Sequence, residues 1–333
     1  MDPLTQGALG AALPQATRNK THVGIAGALG FLAGMAADLD ILIRSETDPL
    51  LFLDYHRQFT HALIFIPVGG MLCALALHWI VGRRWQLTYP RAFLFCSLGY
   101  AMHALLDSAT SYGTMLFWPF SDERYSWSIV SIVDPLFTLP IVVLVVLAGL
   151  RRKPALARIA LAWAAIYLVT GVLQHQSALA MGREIAASRG HTPIRLEVKP
   201  SFANILVWKT IYETQDRFYV DAVRAGPLPR VFAGVSLPKL EYDRDLPWLD
   251  PASQQAQDIE RFRWFSDGFV AKDPRHPKRI IDVRYSFVPN DVNALWSIEL
   301  VPEAPPTSHV RYRTHRDQAG ENLGMLWRMV SGG

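Results

Sequence analysis

The stretch HVGIAGALGFLAGMAADLDILI, residues 22–43, decides how this chain is read. It is apolar over close to the roughly 20 residues that span a bilayer. Small residues recur along it (Gly24, Ala26, Gly27, Gly30, Ala33 and Gly34) and let helices pack closely in lipid. It closes on two acids, Asp38 and Asp40. Four more apolar segments follow, at about 62–82, 91–108, 132–150 and 156–178, and a shorter one precedes it at 3–17. The expected architecture is a membrane bundle of about five transmembrane helices plus a short N-terminal helix. That helix is too short for a full span, so it crosses partway or lies against the bundle.

Ionisable side chains gather at the ends of these segments. His56 and His61 open the second, His103 and Asp107 end the third, and Asp134 begins the fourth. Each such group costs several kcal/mol in hydrocarbon unless it is paired, hydrated or bound to metal. The cations cluster elsewhere, at Arg18/Lys20, Arg83/Arg84/Arg91 and Arg151/Arg152/Lys153/Arg158. By the positive-inside rule those loops face the cytoplasm. The acids and histidines then fall together at the outer face, as do the 109–131 loop and the C-terminal half.

At 333 residues the chain has room for about two domains. Residues 1–180 read as the membrane domain and 181–333 as an extracytoplasmic α+β domain. The net charge of +4 invites a nucleic-acid reading, but loop cations explain it, so no nucleic acid is expected. Cys73 and Cys96 lie in apolar segments and read as small buried hydrophobes, not a disulfide framework. The first 20 residues lack the basic start and apolar core of a cleavable signal. In the C-terminal half, Ile194–Val198, Ile205–Tyr212 and Phe218–Val223 alternate as a strand meander turning at Thr214–Asp216. Ile280–Phe287, Ala294–Val301 and Val310–Thr314 look like further strands, with loops such as Pro227–Pro229 between elements. No catalytic motif and no internal repeat stands out there.

His103 and Asp107, four apart on a helix, project from one face and can chelate one divalent ion. Asp38 and Asp40 can diverge to bridge two ions, or one can orient a ligand of the other. His56 and His61 complete the set. Nitrogen with carboxylate donors suits zinc, with manganese or iron as alternatives. Asp134 before Pro135 is a further ligand candidate, or an N-cap. His78 and His175 read as helix–helix hydrogen-bonding groups. Arg57 and Arg124 can fork onto an anionic substrate, serve as interfacial anchors, or pair with a neighbouring acid. Phe117, Trp118, Phe120, Tyr125 and Trp127 suit an interfacial aromatic belt, with the lining of a lipid entry as the alternative.

Several of these stretches occur in the order of a known family. They are Met-Asp-Pro-Leu-Thr-Gln at 1–6, Ala-Asp-Leu-Asp at 37–40 and His-Arg-Gln-Phe-Thr-His at 56–61. His-Ala-Leu-Leu-Asp at 103–107, Thr-Ser-Tyr-Gly-Thr at 110–114, Phe-Ser-Asp-Glu-Arg at 120–124 and Val-Asp-Pro-Leu at 133–136 follow. Residues 1–150 thereby resemble the YdjM-like family, described as inner-membrane-associated and metal-dependent hydrolases. Where that family's best-known pattern has His, this chain has Gln6, which the resemblance makes a position for holding a water or substrate. The family is distantly similar to the zinc-dependent phospholipase C superfamily, which implies a phosphoester substrate by analogy.

The expectation is an integral-membrane metal-dependent hydrolase. Asp38, Asp40, His56, His61, His103, Asp107 and Asp134 are metal-ligand candidates, and Arg57, Arg124 and Gln6 are catalytic ones. The substrate is a lipid or lipid-linked phosphoester at the outer face, among membrane lipids. The alternatives are an amide or carboxylic-ester hydrolase, or a non-enzymatic membrane protein with a structural metal and a partner-binding outer domain.

Overall fold

The structure is a computed structural model that describes all residues except 18, 19, 227, 316–318 and 333. Arg18 and Pro227, both used above, lie outside the described residues. The chain divides into two compact units. Unit 1 holds residues 1–42, 55–172 and 202–204; unit 2 holds 43–54, 173–201 and 205–333.

Unit 1 is helical. It contains α1 (Pro3–Gln15), α2 (Val23–Ala36) and, after the five-residue α3 (Leu51–Tyr55), α4 (Ile66–Leu77), α5 (Tyr89–Ala109) and α6 (Pro135–Arg151). The long α7 (Pro154–Ser188) begins in unit 1 and ends in unit 2. With their flanking turns, four helices are long and apolar enough to cross a membrane: Val23–Leu42, Leu63–Trp85, Tyr89–Ala109 and Pro154–Ser188. Their outward side chains are apolar, including Leu72, Leu75, Ile166, Val169 and Leu173. That pattern suits lipid as solvent. The fifth expected span is shorter, with 17 residues in α6. It starts late because Asp134 caps the helix, accepting from the Leu136 and Phe137 amides, and Pro135 occupies its first position.

α1 is the centre of this unit. Nearly all of its residues are buried, and it packs against α2, α5 and α6. A helix that is apolar all round belongs inside a bundle. The small residues make the approach close. A Cβ added to Gly30 would lie 2.4 Å from the Gly10 carbonyl oxygen, and one added to Gly99 would lie 2.4 Å from that of Gly30. The backbones of α1, α2 and α5 therefore touch directly. At one end of the bundle Arg91 meets His22 and Arg158 donates to the Ala16 carbonyl. The acids and histidines lie at the opposite ends of the same helices.

Unit 2 is α+β, as expected, with two antiparallel sheets. The first runs β1 (Arg195–Pro200), β2 (Val207–Glu213), β3 (Arg217–Arg224) and β4 (Arg230–Pro238) in spatial order. Helices α8 (Tyr242–Asp245) and α9 (Gln254–Phe265) follow. The second sheet runs β5 (Val270–Lys272), β6 (Arg279–Asp282), β7 (Trp296–Glu299) and β8 (Arg311–Thr314), and α10 (Ala319–Ser331) ends the described elements. Ile211, Phe218, Val220, Phe269, Ile281 and Val283 form one core cluster drawn from both sheets. The meander is β1–β3, with Ile211 opposite Val220. Two strands escape the alternation rule. β4 is an exposed edge carrying Gly234 and ending on Pro238, and β5 is only three residues long. The strand expected over 280–287 stops at Asp282, where the carboxylate accepts from the Arg284 amide and guanidinium. His175 lies edge-on to Trp208, and in unit 1 His78 lies edge-on to Tyr89.

Candidate metal centre

At its C-terminus α2 tightens into a 3-10 turn, Ala37–Leu42. Residues two apart on such a turn project about 120° apart. Asp38 and Asp40 therefore diverge, and they straddle one imidazole. Asp38 Oδ1 lies 3.5 Å from His61 Nε2, and Asp40 Oδ2 lies 3.3 Å from His61 Nδ1. On α5, one turn apart, His103 and Asp107 are both fully buried and face the same point. The atoms His61 Nε2, His103 Nε2, Asp38 Oδ1 and Asp107 Oδ2 converge there. Their separations are 2.9 Å between the imidazoles, and 3.3, 3.4, 3.5 and 3.7 Å between imidazole and carboxylate. A tetrahedral ion with arms of 2.0–2.1 Å needs edges of about 3.3–3.4 Å. The four side chains fit a single such ion.

The rings are oriented from behind. His103 Nδ1 donates to the Gly34 carbonyl at 2.6 Å, an atom that can only accept. The close α2–α5 packing brings that carbonyl within reach. Thr60 Oγ1 gives its proton to Asp40 Oδ2 at 2.7 Å, so it accepts from His61 Nδ1 at 2.9 Å. Both rings thus carry a proton on Nδ1 and turn Nε2 toward each other, an orientation assigned from the network. With Nε2 unprotonated, these two nitrogens and the two carboxylate oxygens could hold a cation between them. Outer partners on Nδ1 are the usual support of metal-binding histidines. Burial alone would lower the His61 pKa, but the carboxylates of Asp107, Asp38 and Asp40 outweigh it and raise it to about 10.

Asp107 is held by two hydrogen-bond donors and an ion pair. The Met1 amino group and Gln6 Nε2 (2.6 Å) reach its Oδ1, and Arg57 Nε lies 3.0 Å from its Oδ2. Arg57 is buried, and its Nη1 donates to Thr110 Oγ1 at 3.2 Å. Its backbone is left-handed (φ 64°), which aims its amide at Asp40 Oδ2 over 2.9 Å. A non-glycine residue in that region marks a place where local strain is imposed by the surroundings. Gln6 is fully buried, and its Oε1 has no hydrogen-bond partner among the described residues.

The other candidates lie around this core. His56 Nδ1 donates to Asp40 Oδ1 at 2.7 Å, and Asp38, Asp40 and His56 form a second, overlapping group that shares Asp38. Arg124 sits on the 110–128 loop, where it donates to the Gly113 carbonyl at 3.4 Å. That loop is ordered by a two-way backbone bridge between Thr114 and Tyr125, and by the Met115 amide donating to the Arg57 carbonyl. Asp134 is not brought into either group. It caps α6 and accepts from the Tyr167 hydroxyl at 2.7 Å, which is the N-cap alternative realised. Sequence reasoning missed Thr60 and the Gly34 carbonyl. Thr60 adjoins His61 and was visible in the motif; a backbone carbonyl leaves no mark in a sequence.

Fold and site together define a polytopic membrane protein with a buried His/Asp centre at one end of its bundle. The chain belongs to the YdjM inner membrane protein family, which it matches over residues 1–178. It is similar to the inner membrane protein YbcI of Escherichia coli (strain K12), with 33% identity over 108 residues, 31% of this chain. That match covers 60% of the relative's length. No solved structure matches.

Proposed function

We propose that this chain is an integral-membrane metal-dependent hydrolase, acting on a phosphoester of a lipid or lipid-linked substrate at the outer membrane face. One observation supports the metal: two histidine Nε2 atoms 2.9 Å apart, flanked by Asp38 and Asp107 oxygens. Zinc suits this donor set. When bound, it would supply a coordinated water of pKa near 7 and polarise the scissile group. The chain's own residues do the rest. Arg57 and Gln6 keep Asp107 aimed, Gln6 Oε1 offers a buried acceptor to a water or substrate, and Arg124 offers a guanidinium to developing negative charge. Asp38, with a quarter of its side chain exposed, lies at the open side. Leu39 and Leu42, on the turn that carries Asp38 and Asp40, are exposed at 62 and 74% and favour a lipid over a soluble metabolite.

The outer-face placement rests on the cationic loops at the opposite end of the bundle. A reporter that works only after export, fused after residue 180, should be active. Activity of a cytoplasmic reporter at that point would reverse the orientation.

The chemistry is tested by screening the zinc-loaded chain against lipid phosphoesters, with amide and carboxylic-ester analogues alongside. Arg124→Ala should cut phosphoester turnover by about 100-fold, with metal content unchanged, and Arg124→Lys should recover only part of it. Equal rates for the three proteins would remove Arg124 from the site. Cleavage of the amide or ester alone would reassign the substrate.

A second reading has its own observation. Four protein donors complete a tetrahedral shell, and closed shells are structural. If the cobalt-substituted protein keeps one visible spectrum with and without added phosphate, no position is open and the metal staples the bundle.

A further inference from the structure

The metal centre is assembled from two stretches between which the chain makes an excursion. After Leu42, just past Asp40, it leaves unit 1 and runs through 43–54 as part of unit 2. It returns at Tyr55, immediately before His56 and Arg57. The excursion is a strap, and its two ends carry the site's residues.

Within unit 2 this strap is clamped by one side chain. Arg261, on α9, forks onto Asp48, with Nη1–Oδ1 and Nη2–Oδ2 both 3.0 Å. Its Nη2 also reaches Asp54 Oδ2 at 2.6 Å. Asp258, one turn earlier on α9, lies 3.3 Å from Nη1. That acid is itself fully buried and accepts from His309 Nδ1 and the Val310 amide at 2.9 and 3.0 Å. One guanidinium thus gathers three carboxylates, two of them on the strap. Between those two, Leu50 and Leu53 are buried and Phe52 meets the Tyr312 ring edge-on at 5.0 Å. A bidentate, partly buried ion pair holds geometry as well as charge.

We propose that Arg261 is a positioning residue of the metal centre, acting through the 43–54 strap. By gathering Asp48 and Asp54 on one guanidinium it constrains the span between the two ends of the strap. It thereby sets how Asp38 and Asp40 stand relative to His56, Arg57 and His61. A metal site demands that its ligands be held within about 0.5 Å of the binding geometry. With the strap released, the ligand stretches must be ordered when the ion binds, and affinity falls by that cost. The inference rests on the metal-binding reading above.

The test uses the full-length, detergent-solubilised chain loaded with zinc and titrated with a chromophoric chelator. Arg261→Ala and the Asp48→Asn/Asp54→Asn pair should each hold zinc about tenfold more weakly than wild type, within the range of outer-sphere changes at metal sites. The combined variant should be no weaker than either, because all three remove one clamp. Arg261→Lys should recover part of the loss. Thermal unfolding checks that unit 2 is intact. Should Arg261→Ala fail to fold, the isosteric Asn pair, which leaves Arg261 its contact with Asp258, decides the matter. Wild-type zinc affinity in the folded Asn pair overturns the inference while leaving the metal reading standing. If the wild-type chain takes up no zinc, the metal reading falls first and the inference falls with it.

Discussion

His103→Ala should leave the purified chain with less than about a tenth of the zinc that wild type holds. The substitution deletes one of four converging donors and the only one set by a backbone carbonyl. It leaves His61 Nε2 facing Asp38 and Asp107 across the vacated ring position. Elemental analysis of the folded variant is the measurement, with circular dichroism to confirm the helices. Wild-type zinc in a folded His103→Ala protein would mean that the paired imidazoles are a hydrogen-bonded core feature and not a metal site. The family match itself would survive that result.

The second large effect concerns Arg57. From its sequence alone this residue reads as a clamp for an anionic substrate, an interfacial anchor or the partner of a neighbouring acid. In the structure its guanidinium is already engaged, with Asp107 and Thr110, and its amide holds Asp40. Arg57→Ala should therefore weaken zinc binding by about 10- to 100-fold, the usual cost of losing a group that orients a ligand. The left-handed backbone separates two contributions. Glycine adopts φ near 64° without strain, and alanine does not. Arg57→Gly should consequently be more thermostable than Arg57→Ala yet equally poor at holding zinc. If Arg57→Gly binds zinc as wild type does while turnover collapses, the guanidinium serves the substrate and the positioning role is withdrawn.

The membrane half was largely legible because its signals are local. Hydrophobic length, small-residue spacing and the i,i+4 pair His103/Asp107 are read within one or two helical turns. The start of α6 follows from Asp134 and Pro135, which cap and open the helix within the apolar run beside them. In unit 2, β1–β3 alternate visibly. β4 is an exposed edge with no buried face to impose alternation, and β5 is too short to show a period.

Sequence by itself determined the class of this protein: apolar spans, the donor types at their ends, and an α+β unit after them. These follow from composition and short-range periodicity, which any local folding of the chain must respect. Only the tertiary structure decided which donors meet and in what chemical state. His103 takes its tautomer from the Gly34 carbonyl, 69 residues away, and His61 takes its own through Thr60 and Asp40. Asp134 went to a cap, Arg57 to its neighbours' carboxylates, and the strap between Asp40 and His56 to Arg261, more than 200 residues along the chain. Each outcome depends on where distant backbone and charge come to rest, and that is fixed by packing, which no short window of residues contains.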